Sequence, residues 1–195
     1  MSSRNELFPV FLKLNQLDVL IIGGGNVALE KLQAILTNSP GCNITLVAPH
    51  VLPIIESYSV DFQLHIVKAK YEKSFLLNRQ IVISALNDVK LSEQIRNDAK
   101  EIGVLYNAAD KPELCDFYLG SIVQKGDLKV AISTNGKSPT LAKRLKEILN
   151  HVIPDKIQES LDELYALRNK LKGDFEKKVN DLNKVTKSFS VNDWD

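Results

Sequence analysis

The stretch Val19-Leu20-Ile21-Ile22-Gly23-Gly24-Gly25-Asn26-Val27-Ala28-Leu29-Glu30-Lys31 decides the fold. Its four apolar residues lack polar alternation, as expected of a strand buried on both faces of a parallel sheet. Three glycines follow, and then a helical pattern through Leu36. Strand, tight turn and helix form the context that a dinucleotide-binding fingerprint requires, and Gly23-x-Gly25-x-x-Ala28 fits its G-x-G-x-x-G/A form. Gly23 allows the sharp turn, Gly25 lets backbone approach a pyrophosphate, and Ala28 permits close packing of helix on strand. The phosphates would meet the free N–H groups and positive dipole end of the helix, beside Gly24, Asn26 and Val27.

The rest of the chain bounds this reading. Its 195 residues suit one compact domain with an appendage, or two small domains. A hydrophobic content of 44% is enough for a real core. The net charge of +1 gives no sign of a nucleic-acid binder. No apolar run approaches the roughly 18 residues of a membrane span. The opening Met1 to Glu6 lacks the basic-then-apolar form of a signal peptide. Cys42 and Cys115 stand far apart, in no metal spacing, and are expected as free thiols in a reducing cytoplasm.

Leu7 to Leu12 is an apolar lead-in, read as an edge strand because Pro9 cannot serve a central one. Further strands are expected at Ile44–Ala48, Leu64–Val67, Ile81–Ala85 and Val104–Ala109. A short helix is expected at Pro53–Ser59 and a longer one at Val89–Ile102, where Leu91, Ile95, Ala99 and Ile102 share a face. Strands alternating with helices predict an α/β fold, a Rossmann-like doubly wound parallel sheet.

The pattern changes after Asp110. Phe117–Gln124 and Leu128–Ser133 read as strands around Lys125-Gly126-Asp127, a hairpin rather than a crossover. Ser138 is a natural N-cap for a helix from Pro139 to about Leu149. Beyond Pro154 an amphipathic stripe runs from Ile157 to Val185, divided at Gly173, with a frayed tail from Ser188. The expected domains are 1–112 (NAD-binding Rossmann domain), 113–150 (small α+β dimerisation unit) and 151–195 (C-terminal helical segment). So thin a second unit cannot bury its own apolar faces, which predicts a homodimer.

In a doubly wound sheet, ligands bind beyond the carboxyl ends of the strands, at the switch in strand order. Gly23–Val27, Ala48-Pro49-His50, Ala85-Leu86-Asn87-Asp88 and Asn107-Ala108-Ala109-Asp110 should meet there. Gly23, Gly24, Gly25, Asn26, Val27, Pro49, His50 and Asn87 are the candidate cofactor-binding residues. Asp110 is the candidate catalytic residue, since a carboxylate at that end of a buried strand can exchange a proton beside a cofactor. A turn or cap role is the alternative for it. The acidic ribose reader expected about 20 positions past the glycines is absent. No Arg stands there for a 2′-phosphate either, which leans toward NAD. His50, His65 and His151 form no metal-ligand spacing. Lys137, Lys143, Arg144 and Lys146 cluster about the helix that Ser138 caps, as a solvated face or as contacts to an anionic substrate.

Together these segments resemble the precorrin-2 dehydrogenases of siroheme synthesis, including the dehydrogenase/ferrochelatase module of bacterial siroheme synthase. The resemblance rests on Phe8-Pro9-Val10-Phe11-Leu12, Gly23 to Ala28 with Lys31, Val47-Ala48-Pro49, Asn107-Ala108-Ala109-Asp110 and Ser133 to Pro139. It runs from about Leu7 to Leu149. It implies NAD-dependent oxidation of precorrin-2 to sirohydrochlorin by an intertwined dimer. Asp110 matches the family's catalytic carboxylate, which removes a proton as hydride leaves and, in bifunctional members, assists as ferrous iron enters. A substrate rich in carboxylates makes Lys137, Ser138 and Arg144, with Asn107, candidate substrate-binding residues.

Thr134 stands where some siroheme synthases carry a phosphorylated serine. No methyltransferase segment follows the helices, so methylation is expected in another protein. Two alternatives stay open beside the dehydrogenase: a bifunctional enzyme that also takes ferrous iron as substrate, and a nucleotide-sensing module without chemistry.

Overall fold

A computed structural model describes residues 4–171 and 175–186. The expected break at Gly173 and the tail from Ser188 lie outside the described residues. The chain forms two compact units, Phe8–Leu119, and Gly120–Asp195 together with Met1–Leu7.

The first unit carries β1 (Asp18–Ile22), α1 (Asn26–Asn38), β2 (Asn43–Val47), α2 (Pro53–Ser57), β3 (Leu64–Val67), β4 (Ile81–Ser84), α3 (Val89–Ile102) and β5 (Leu105–Ala108). Its sheet has the order β3-β2-β1-β4-β5, and every pairing is parallel. The order reverses between β1 and β4, which places the ligand-binding crevice of such a sheet beyond their carboxyl ends.

The pleat sends alternate residues of β1 to opposite faces. Val19 and Ile21 pack with Ala28, Leu32 and Ile35 of α1. Leu20 and Ile22 pack with Ile95 and Ala99 of α3. These four apolar residues of β1 are buried, each contributing about 1.5–3 kcal/mol by leaving water. The unbroken apolar run thus has its expected cause, helices on both faces of the sheet.

Boundaries follow local chemistry. Asp88 caps α3, its carboxylate accepting the Leu91 N–H at 3.0 Å. The lead-in differs from its expected strand. Phe8 to Leu12 is exposed and belongs to no sheet.

At the β5 edge, side chains stand in for a sixth strand. The Asp116 carboxylate accepts the Tyr106 N–H at 3.0 Å, and the Cys115 thiol accepts the Ala108 N–H at 3.2 Å. Asp116 N–H donates back to the Tyr106 carbonyl at 2.8 Å. Arg96 from α3 pairs with Asp116 at 2.6 Å. These bonds keep residues 113–119 with the first unit and close an edge that would otherwise invite pairing.

In the second unit, β6 (Ser121–Lys125) and β7 (Leu128–Ile132) form an antiparallel hairpin. The strand expected from Phe117 begins only at Ser121, because Asp116 and Phe117 are bonded to β5 instead. The helices α4 (Pro139–Val152), α5 (Ile157–Lys170) and α6 (Phe175–Val185) follow. Gln158 of α5 accepts the Asp127 N–H at 2.7 Å and donates to the Asp127 carboxylate at 3.1 Å, fixing the hairpin turn. Among the described residues no helix is long and apolar enough to cross a membrane.

Candidate functional site

The glycine turn leaves β1 at Gly23, whose φ of +122° lies where side chains are rarely accommodated. A Cβ there would stand 2.5 Å from the Ala85 carbonyl oxygen, and one on Gly24 would collide with that of His50. A Cβ on Gly25 would meet nothing within 4 Å. Gly23 and Gly24 are therefore required by close approach to the loops after β4 and β2. Gly25 faces open space at the N-terminus of α1, for which it is the N-cap. The first-turn N–H groups of a helix lack intrahelical acceptors and attract anions. This cradle fits a dinucleotide pyrophosphate, with Asn26 and Val27 opening the helix.

Beside it lies a cleft of about 210 Å³ lined by Val27, Leu86, Asn87, Ala109, Asp110 and Lys111. Three strand ends meet there, those of β1, β4 and β5. Asp110 is exposed and has a φ of +59°. It occupies the third position of a turn in which the Lys111 N–H donates to the Ala108 carbonyl at 3.4 Å. A non-glycine residue in this region costs energy that must be held in place by its surroundings.

Pro49 and His50 form the exposed loop after β2, and the backbone of His50 packs on Gly24. Asn87 lines the cleft. Asn107, expected at the substrate, is buried. Its amide donates to the Phe117 carbonyl at 2.8 Å and to the Cys115 sulfur at 3.4 Å. Those donors are thus satisfied inside the unit. Lys137, Ser138 and Arg144 belong to the second unit. The Ser138 hydroxyl accepts the Leu141 N–H at 3.1 Å as the cap of α4, and Arg144 pairs with Glu147 at 2.8 Å.

Sequence reasoning passed over Lys111 and Cys115. Lys111 lines the cleft, and its ammonium donates to the Leu86 carbonyl at 3.0 Å and to the Ser92 hydroxyl at 3.3 Å. Its place directly after Asp110 was the available signal. Burial pushes the Cys115 thiol up, opposed by its bond with Ala108, so it stays a neutral hydrogen-bonding group.

Comparison with known proteins agrees with this geometry. Residues 10–121 match the family described as "Putative NAD(P)-binding", and residues 125–151 match the family "Sirohaem biosynthesis protein central". The siroheme synthase of Psychrobacter cryohalolentis is 35% identical over 172 residues, which cover 88% of this chain and 32% of that protein. Siroheme synthase 1 of Serratia proteamaculans is 31% identical over 175 residues, covering 90% and 36%. The chain thus spans about a third of the length of the curated relatives it matches. The solved structure of SirC, a precorrin-2 dehydrogenase, superposes with a TM-score of 0.70 at 27% identity, covering 96% of this chain and 95% of that one. A Rossmann-like unit with a glycine cradle, followed by the matching central segment, places the chain in the NAD(P)-binding family of siroheme synthases and precorrin-2 dehydrogenases.

Proposed function

We propose that this protein oxidises precorrin-2 to sirohydrochlorin with NAD as the oxidant. The observation that carries this reading is the meeting of Val27, Asn87 and Asp110 around one cleft beside the glycine cradle. SirC, which matches over nearly the whole of both chains, is a precorrin-2 dehydrogenase, and this supports the substrate.

Oxidation removes a hydride and a proton from the macrocycle. Bound nicotinamide supplies the hydride acceptor. Gly25, Asn26 and Val27 hold the pyrophosphate on a turn that Gly23 and Gly24 shape, with Pro49, His50 and Asn87 bordering the cofactor. Asp110 takes the proton as a general base, for which an exposed carboxylate on the cleft wall is suited. Asn107 supports the substrate site from beneath, through its bonds to the loop that follows Asp110. Lys137 and Arg144, with the Ser138 cap, engage substrate carboxylates, a role supported by their charge.

The protein acts in this reading as a cytoplasmic homodimer, with the first unit as the NAD-binding domain and the hairpin with α4 as the pairing segment. Two features support it. Cys42 and Cys115 are free thiols. Leu141, Leu145, Ile148 and Val152 form an exposed apolar stripe on α4, which a second copy would bury.

NAD reduction measured with and without precorrin-2 tests the proposal. Substrate-dependent NADH formation is the expected result, and its absence in protein that binds NAD would refute it.

A further inference from the structure

Asp110 is held from two sides by the side chains of Cys115 and Lys111. On one side, Cys115 makes four contacts with its single sulfur. It accepts the Ala108 N–H at 3.2 Å and the Asn107 amide at 3.4 Å, and its proton is shared between the Ala108 and Lys111 carbonyls, each at 3.3 Å. Those partners bracket Asp110 on both sides in sequence. On the other side, the Lys111 ammonium reaches the Leu86 carbonyl at the end of β4 and the Ser92 hydroxyl in α3. Ser92 is buried and donates onward to the Asp88 carbonyl at 2.7 Å. The turn bearing Asp110 is thereby tied to β5 beneath it and to the opposite wall of the cleft.

We propose that Cys115 and Lys111 are positioning residues for Asp110, forming a side-chain clamp that keeps its backbone left-handed and its carboxylate at the cleft. The inference rests on Asp110 being the base of the dehydrogenase. Left-handed backbone costs an aspartate some energy, though less than most residues, and these contacts favour the observed φ of +59°. Of the two clamp residues Lys111 lines the cleft, so the test rests on Cys115. Cys115 is not among the cleft-lining residues. Changing it therefore acts on the reaction through the Asp110 turn.

The test compares wild type with Cys115→Ala and Cys115→Ser. It measures kcat and KM for precorrin-2 at saturating NAD, and NAD affinity by calorimetry. Displacing a reacting group by about 1 Å costs up to roughly 100-fold, so Cys115→Ala should lower kcat by about 10- to 100-fold. KM and NAD affinity should stay within about twofold, the pattern of a contact that matters only in the transition state. Serine keeps a donor and an acceptor and should restore most of the rate. An unchanged kcat, or a loss shared with NAD affinity and not rescued by serine, overturns the clamp. If Cys115→Ala does not fold, Ser92→Ala, which removes an acceptor of the Lys111 ammonium from outside the cleft lining, is read by the same kcat, KM and NAD-affinity criteria with Ser92→Thr as its rescue. If wild type binds NAD but leaves precorrin-2 unoxidised, the dehydrogenase reading fails. The clamp is then judged from a crystal structure of Cys115→Ala, in which loss of the left-handed backbone at Asp110 supports it and retention overturns it.

Discussion

The Leu52 N–H donates to the Gly24 carbonyl at 2.9 Å, joining the loop after β2 directly to the glycine turn. The same loop brings the His50 carbonyl against Gly24, so this glycine serves the fold. Gly25, one residue later, faces open space. The two positions should therefore separate stability from binding. Gly24→Ala is expected to destabilise by about 1–3 kcal/mol through overpacking. Gly25→Asp should leave Tm close to wild type and abolish NAD binding by bulk and charge. Thermal unfolding and calorimetric titration of NAD on both variants check this.

Asp110 gives a trade between stability and activity. Asp110→Gly removes the side chain that disfavours a φ of +59° and should stabilise by about 1 kcal/mol while turnover is lost. Asp110→Ala should lose turnover without that gain. NAD affinity is expected to survive in both. Tm and turnover on the same preparations decide the matter.

Cys42 predicts an alkaline limb of instability. Burial, with the nearby Asp18 charge adding to it, pushes its thiol from 9.0 up to about 11. The folded state thus holds the proton more tightly than the unfolded chain. Its contribution is complete below pH 9 and is lost as pH rises toward 11, by an amount on the order of 2–3 kcal/mol. Cys42→Ala should flatten that part of the stability curve, as urea denaturation at stepped pH would reveal.

The stripe on α4 predicts its own outcome. Leu141→Asp combined with Ile148→Asp should convert the proposed dimer to monomer, since both side chains are more than half exposed in the single chain. Sedimentation equilibrium of wild type and variant measures this, and a monomeric wild type would remove the dimer from the account.

Much of the first unit was legible because local signals agreed. β3 and α3 have the bounds that their residues predict, α3 because an Asp88 cap and Gly103 enclose a consistent apolar face. The cleft was legible as four segments converging at a strand-order switch, of which those after β1, β4 and β5 line it. What escaped depends on side chains acting across the chain. Phe8 to Leu12 has strand-like composition yet joins neither edge of the sheet, and the closing of the β5 edge by Asp116 and Cys115 leaves no trace in periodicity. The roles of Lys111 and Cys115 arise from carbonyls at Leu86 and Ala108, groups that every residue possesses and no motif marks.

The most direct measurement of the central claim is the absorption spectrum after purified protein is incubated with fresh precorrin-2 and NAD, beside the Asp110→Ala variant. Wild type is expected to give the sirohydrochlorin spectrum with matching NADH, and the variant neither. An unchanged spectrum in wild type that binds NAD, or equal conversion by both proteins, would contradict the claim.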